Sequence, residues 1–163
     1  MRIDRVVADA SPLIILFKSG LINLLPQLFN EIVVTATVRQ EVAAGGTADP
    51  AATGLARAAW AVSIADPVIP PVISAWDLDS GEATVLAQAQ QMPGARALVD
   101  DRAARNCAKT LQIPVLGTVG VIVLAKRRGL IDSARNALAK IAGAGCWLSA
   151  DLIQTTLEQA GEY

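Results

Sequence analysis

The chain has 163 residues, of which 53% are hydrophobic, and its formal net charge is −1. This length and composition predict a single compact domain, residues 1–163, with a sizeable core. The near-neutral charge argues against the diffuse basic surface that non-specific nucleic-acid binders usually carry, but it is compatible with a nucleic acid held through metal ions and a few arginines.

In the N-terminal half, β-branched runs mark strands, and Pro or Thr ahead of helically spaced apolar residues marks helix starts. Gly20 punctuates the first helix, and the pair Gly45-Gly46 ends the second. The predicted elements are a strand ending at Ala8, a helix from Pro12 to Phe29, a strand over residues 32–34, a helix capped by Thr35, a helix over residues 49–60 and a strand over residues 61–66.

The C-terminal half continues the alternation after an extended segment that contains Pro67, Pro70 and Pro71. In the next helix, either Asp79 or Ser80 is the predicted N-cap. The predicted elements are a helix over residues 78–92, a strand over residues 95–99, a helix over residues 101–112 that covers the sheet, a strand over residues 113–117, a buried apolar helix over residues 118–130, and helices over residues 131–142 and 149–161.

Short apolar strands that alternate with helices are typical of parallel sheets, whose strands are buried on both faces. We therefore predict an α/β fold, a three-layer α/β/α sandwich around a mainly parallel sheet. In open sheets of this kind, ligands bind outside the carboxyl ends of the strands.

Histidine and cysteine chemistry is largely excluded. The sequence has no histidine, which removes the commonest general base and transition-metal ligand. Cys107 and Cys146 have no C-x-x-C spacing and are expected to be free thiols in a reducing compartment. We find no signal peptide and no apolar run of about 18 residues, and we expect a cytoplasmic protein without a membrane span.

Carboxylates follow the predicted strand ends. Asp9 closes the first strand, Asp100 and Asp101 close the strand at 95–99, and Glu41 and Glu82 lie on helices that start nearby. If they converge, a cation must neutralise them, and an all-oxygen site suits Mg²⁺ or Mn²⁺. A metal-activated water at such a site is able to attack a phosphodiester.

Each acid also has a structural explanation. Asp9 is suited to turn the segment "DASP", Glu41 to a solvated helix face, and Glu82 to a capping box begun by Asp79. The convergence on one predicted sheet edge favours the metal-site interpretation.

The two adjacent aspartates are expected to diverge, because side chains alternate at the end of a strand. We expect Asp100 to face the acidic site and Asp101 to cap or support the helix that begins at Arg102. Thr118, after the next strand, is suited either to a turn or N-cap or to the site itself.

Arginines on the helices that flank the acidic edge are candidate phosphate contacts, because a guanidinium group binds phosphate bidentately. These candidates are Arg39, Arg102 and Arg105.

Several motifs, in combination and order, resemble a PIN domain of the toxin-like subgroup that is classed as a domain of unknown function. The resemblance covers most of the chain. It is carried by "VADASPLIIL", "VVTATVRQEV", "LDSGEATVLAQA", "LVDDRAARNCAKTLQIPVLGTVGVIVLAKRRGLI" and a closing helix that ends in "GE".

This resemblance implies an endoribonuclease that depends on Mg²⁺ or Mn²⁺, acts on RNA, forms a homodimer and is silenced by a small antitoxin protein. It implies metal-binding acids at Asp9, Glu41, Glu82 and Asp100 or Asp101. By the same resemblance, Ser11 matches the small hydroxyl residue two positions after the first acid. The chain departs from the commoner toxins at Glu82, where they usually carry Asp, and at "VDD", where they often read Thr-Asn-Asp.

Two rival interpretations remain. One is a catalytically silent binding module with the same fold. The other is aspartate-based phosphoryl transfer, which also uses Asp and Thr at strand ends. The order of residues disfavours the second rival, because Thr118 follows the Asp pair and Asp9 lacks the second Asp of a D-x-D motif.

Overall fold

A five-stranded, all-parallel sheet forms the centre of the structure, with the strand order β3-β2-β1-β4-β5. The computed structural model describes residues 5–163, so the first four residues of the predicted domain lie outside it. The strands are β1 (Arg5–Ala8), β2 (Glu31–Thr35), β3 (Ala61–Ile64), β4 (Arg96–Leu98) and β5 (Val115–Leu116), and the helices are α1 (Ala10–Lys18), α2 (Leu24–Leu28), α3 (Ala36–Ala43), α4 (Pro50–Arg57), α5 (Pro71–Ser74), α6 (Ser80–Gln91), α7 (Arg102–Thr110), α8 (Thr118–Arg127), α9 (Ala134–Gly143) and α10 (Ala150–Gln159).

The strand order reverses direction at β1. The chain adds β2 and β3 on one side of β1 and then places β4 and β5 on the other. In register, Val6 pairs with Ile32 of β2 and with Arg96 of β4. The carboxyl ends of β1 and β4 therefore border a topological switch point, which is where open α/β sheets bind ligands.

Burial of the central strand explains its composition. Val6, Val7 and Ala8 of β1 are fully buried, because helices cover the sheet and β1 has a neighbour on either side. The predicted α/β fold with a parallel sheet is confirmed. The predicted buried helix is also confirmed as α8, in which Val121 and Ile122 have no exposed surface.

Two predicted segments differ from the structure. The helix expected over residues 12–29 is two helices, because Gly20 adopts a φ of 75° and the Leu21 N–H donates to the Leu16 carbonyl, which ends α1. The extended segment after Pro67 contains the short helix α5, which begins at Pro71. Proline fits this position because the first helical residue has no partner for its N–H.

The carboxylate of Glu162, in the closing "GE", ties the C-terminus to two helices. It accepts hydrogen bonds from the Ala134 and Arg135 N–H groups at the start of α9 and lies 3.8 Å from the Lys126 ammonium. Within residues 5–163, no helix is both long and apolar enough to cross a membrane.

Candidate functional site

A cavity of about 300 Å³ lies at the carboxyl ends of β1 and β4. Carboxylates from four separate parts of the chain line it, together with one hydroxyl and two apolar side chains. The lining residues are Asp9, Ala10, Ser11, Ile14, Glu41, Asp79, Glu82 and Asp101. We call this the acidic cavity, because five of its eight lining residues carry carboxylates and none is basic.

Asp9 is held at the centre of the switch point. Its N–H donates to the Leu98 carbonyl at 3.0 Å, which extends the pairing of β1 with β4 by one bond. The side chain is only 5% exposed. Burial raises the pKa of Asp9 to about 6, and the charges of Glu41, Asp100 and Asp101 add to this, against a hydrogen bond from the Ala10 N–H.

Glu41 contacts the start of α6. Its carboxylate accepts a hydrogen bond from the Gly81 N–H, while burial raises its pKa and the charge of Asp79 adds to the effect. A Cβ atom at Gly81 would lie 2.4 Å from the Glu41 Oε1 atom, so glycine is needed for this approach. The buried hydroxyls of Thr35 and Thr84 share a hydrogen bond of 2.8 Å, which connects the end of β2, at the N-cap of α3, to α6.

Glu82 is buried although it belongs to the first turn of α6. Its carboxylate accepts a hydrogen bond from the Asp79 N–H, which is half of the capping box that the sequence suggested. Burial raises the pKa of Glu82 to about 7, with contributions from the charges of Asp101, Asp9 and Asp79.

Asp79 is a site residue that the sequence pattern indicated only as a helix cap. It occupies the N-cap position of α6, yet its side chain makes no capping hydrogen bond and lines the acidic cavity. The signal in the sequence is its position three residues before Glu82, which places both side chains at the same helix start.

The expected roles of the adjacent aspartates are only half confirmed, because Asp101 caps α7 as predicted, but Asp101 and not Asp100 lines the acidic cavity. Asp101 lines the acidic cavity and also accepts a hydrogen bond from the Ala104 N–H at 3.0 Å, which caps α7. Asp100 instead accepts hydrogen bonds from the Thr118 N–H at 2.8 Å and from its hydroxyl at 2.6 Å. The unpaired N–H groups and the dipole at the start of α8 stabilise the Asp100 carboxylate there.

Thr118 therefore supports Asp100 rather than lining the acidic cavity, and it is 1% exposed. Ser11 lines the acidic cavity as an exposed side chain. Of the residues predicted for the site, the structure brings together Asp9, Ser11, Glu41, Glu82 and Asp101.

The three arginines that are candidate phosphate contacts lie in three different environments. Arg39 does not line the acidic cavity. Its guanidinium donates hydrogen bonds of 3.5 Å to the Leu55 and Ala61 carbonyls, and its side chain lines a different cavity. Arg105 donates to the Val99 carbonyl at 3.3 Å and lies beside Asp100 in a second cavity. Arg102 is exposed in the first turn of α7.

The acidic cavity fits a hard divalent cation by the chemistry of its donors. All of its charged groups are carboxylates, and uncompensated charge helps to raise the pKa values of Asp9 and Glu82. In the described part of the chain, however, no three Asp, Glu, His or Cys side chains form a preassembled metal-binding group.

No curated protein and no solved structure matches the chain. A family model described as a PIN domain matches residues 5–162, which is nearly the whole sequence. The all-parallel sheet agrees with that match, and the family supports a nuclease-like fold. The chain belongs to the PIN-domain family.

Proposed function

We propose that the protein is an endoribonuclease that depends on Mg²⁺ or Mn²⁺ and cleaves RNA phosphodiesters at the acidic cavity. The observation that carries the proposal is the convergence of five carboxylates, without a basic lining residue, at the switch point of a PIN-domain chain. Carboxylates that converge in this way repel one another unless cations neutralise them, so their convergence supports a role in binding cations.

Each carboxylate has a distinct role in this proposal. Asp9 is the most rigid ligand, because its own N–H belongs to the β1–β4 pairing. Glu41 and Glu82 are positioned by the N–H groups at the start of α6, and Asp101 by its capping bond on α7. When bound, the metal supplies a Lewis acid for the phosphate and lowers the pKa of a water molecule.

The substrate phosphate would approach from the exposed side of the acidic cavity. The Ser11 hydroxyl at that side is able to donate to a phosphate oxygen. Of the three arginines predicted to contact phosphate, the exposed Arg102 is the nearest in sequence to a residue of the acidic cavity, because it directly follows Asp101. A guanidinium group there would offset the repulsion between RNA and the carboxylates.

The test is a cleavage assay with structured and single-stranded RNA in Mg²⁺, Mn²⁺ or EDTA. We expect cleavage that needs the metal and that falls at least roughly 100-fold in Asp9→Asn, because the cavity loses its most buried charge. Asp132→Asn, an exposed acid outside the acidic cavity, is the matched control and should retain full activity. Cleavage that survives Asp9→Asn and EDTA would refute the site.

The toxin-like motifs support a further part of the proposal. The protein would act as the toxin of a toxin–antitoxin pair, work as a homodimer in the cytoplasm and be silenced by a small partner protein. A short reading frame beside its gene, whose product co-purifies with it and stops cleavage, is the expected finding. Full activity in the presence of that product would count against the pairing.

A catalytically silent binding module is the second candidate. The observation that favours it is the lack of three preassembled metal ligands among residues 5–163. Binding of RNA without cleavage in any metal would favour this alternative. Trapping of an acyl phosphate on Asp9 would instead support aspartate-based phosphoryl transfer.

A further inference from the structure

A second cavity of about 430 Å³ adjoins the acidic cavity. It lies beyond the carboxyl end of β5 and is bordered by α7, α8 and α10. The two cavities lie side by side, because Asp100 lines the second cavity and Asp101 lines the acidic cavity. The Cα atoms of these adjacent residues are about 3.8 Å apart. The two cavities are therefore close enough for one RNA strand to contact both.

The lining of the second cavity suits a ligand that is flat and carries both donors and acceptors. Val119 and Leu152 supply apolar surface, Asp100 supplies an acceptor, and Arg105 supplies donors. Since the cavity holds one negative and one positive side chain, neither a bare anion nor a bare cation matches it. A nucleobase does, because its faces are apolar and its edge carries donors and acceptors.

The polar groups of this cavity are held in place. Asp100 accepts two hydrogen bonds from Thr118, and Arg105 donates one to the Val99 carbonyl. A Cβ atom at Gly117 would lie 2.7 Å from an Arg105 nitrogen and 3.1 Å from an Asp100 oxygen, so glycine leaves room for both side chains. Preorganised groups of this kind lower the cost of binding a ligand.

An exposed aromatic side chain occurs in the loop that leads into α10. Trp147 is 83% exposed, although tryptophan is usually largely buried. Leu152, five residues after Trp147 in the chain, lines the second cavity. The loop is therefore near the second cavity, and an exposed indole is a stacking surface for an unpaired base.

We propose that the second cavity binds one nucleobase of a single-stranded RNA whose scissile phosphodiester lies at the acidic cavity, and that Trp147 stacks on an adjacent base. This inference rests on the proposed ribonuclease function and adds to it a preference for unpaired RNA. Arg105 contacts the edge of the bound base or its phosphate. Thr155 and Gln159, exposed on α10, form the outer wall.

The test measures binding separately from cleavage. A fluorescently labelled single-stranded RNA is titrated against the Asp9→Asn protein in Mg²⁺, and the Kd is obtained from fluorescence anisotropy. Adding Thr155→Glu should weaken binding about tenfold or more, because it places a negative charge in the base site. Gln154→Glu is the matched control, since it adds the same charge one residue away, outside the lining of the second cavity.

Trp147 is tested in the same assay. Trp147→Ala should raise the Kd by about tenfold, within the range for loss of one stacking interaction, and Trp147→Phe should restore most of the affinity. A double-stranded RNA of the same sequence should bind more weakly than the single strand, because its bases are not available for stacking. Thermal unfolding of each variant verifies that it is folded.

The outcomes separate this inference from the proposed function. Unchanged binding in both Thr155→Glu and Trp147→Ala would overturn the inference even if the wild-type protein cleaves RNA. Equal loss in Thr155→Glu and Gln154→Glu would overturn it too, because the effect would then be general repulsion. Binding that depends on both residues, in a protein that never cleaves RNA, would support the inference and refute the ribonuclease function.

Discussion

At the end of β4, two chemically identical side chains have different partners. Asp100 accepts two hydrogen bonds from Thr118 at the start of α8, whereas Asp101 combines a capping bond on α7 with a place in the acidic cavity. Substitution by asparagine removes the charge of each side chain with little change in shape. It therefore separates the structural role of one aspartate from the proposed catalytic role of the other.

For Asp101→Asn we expect cleavage to fall roughly 10- to 100-fold with little loss of stability, because asparagine is also a good N-cap. For Asp100→Asn we expect a loss of about 1–2 kcal/mol in unfolding free energy, with most of the cleavage rate at saturating RNA retained. Urea unfolding and RNA cleavage rates measure the two effects. An Asp100→Asn protein of normal stability that is inactive would contradict this division.

Gly81 allows a second test at a single residue. In Gly81→Ala the new methyl group would lie 2.4 Å from the Glu41 Oε1 atom, so the Glu41 carboxylate must move. We expect a fall of about tenfold or more in the cleavage rate. The control is Gly143→Ala, another helical glycine, where a Cβ atom meets nothing within 4 Å. Equal activity in the two variants would show that the position of Glu41 is not critical.

At the scale of elements, the ends of helices position most of the site. Asp9, Asp79 and Asp101 occupy N-cap positions of α1, α6 and α7, so each carboxylate lies at the positive end of a helix. The sequence indicated the starts of α6 and α7 through their capping residues, whereas it predicted the first helix to start at Pro12 rather than after Asp9. It did not indicate Asp79 as a member of the site, because capping and ligand binding require the same residue types.

A single carboxylate, that of Glu162, connects the C-terminal segment to α9, so its contribution to stability can be measured by one substitution. Hydrogen bonds from the Ala134 and Arg135 N–H groups, together with the nearby Lys126 and Ser133, lower the pKa of Glu162. Its contribution to stability is present above the ordinary pKa of 4.5 and is lost as the pH falls below it.

We therefore expect Glu162→Gln to lower the unfolding temperature at neutral pH by a few degrees and to have little effect in acid. Differential scanning calorimetry at both pH values measures the change. Glu158→Gln is the control, because that exposed side chain bonds only to the neutral Gln154 in the described structure. Similar shifts for both variants would mean that Glu162 contributes no more than an ordinary surface acid.

At the scale of the whole molecule, the acidic cavity opposes folding when no cation is present. The pKa of Asp9 is raised from 3.8 to about 6, and that of Glu82 from 4.5 to about 7. Both groups bind protons more tightly in the folded state, so stability should be highest below the ordinary pKa values of 3.8 and 4.5 and should fall as the pH rises from there to the raised values of about 6 and about 7. In EDTA, we expect a loss of about 1–3 kcal/mol in unfolding free energy across this window.

Divalent cations should reverse this loss. Because metal binds the ionised carboxylates, Mg²⁺ or Mn²⁺ should raise the unfolding temperature more at about pH 8 than at about pH 5. Glu82→Gln should reduce both the pH dependence and the response to metal, since one of the raised pKa values is removed. A response to metal that is equal at both pH values would contradict metal binding by these groups.

The sequence by itself determined the α/β fold, the parallel sheet and the candidate acids, because apolar periodicity, helix caps and strand ends are local properties of the chain. Tertiary structure decided which side chains meet. It placed Asp79 in the acidic cavity, directed Asp100 to Thr118 and kept Arg39 out of the acidic cavity. The physical reason is that a side chain's partner depends on competition among groups distant in sequence, such as the Thr118 N–H, which has no partner within α8 and lies 18 positions from Asp100.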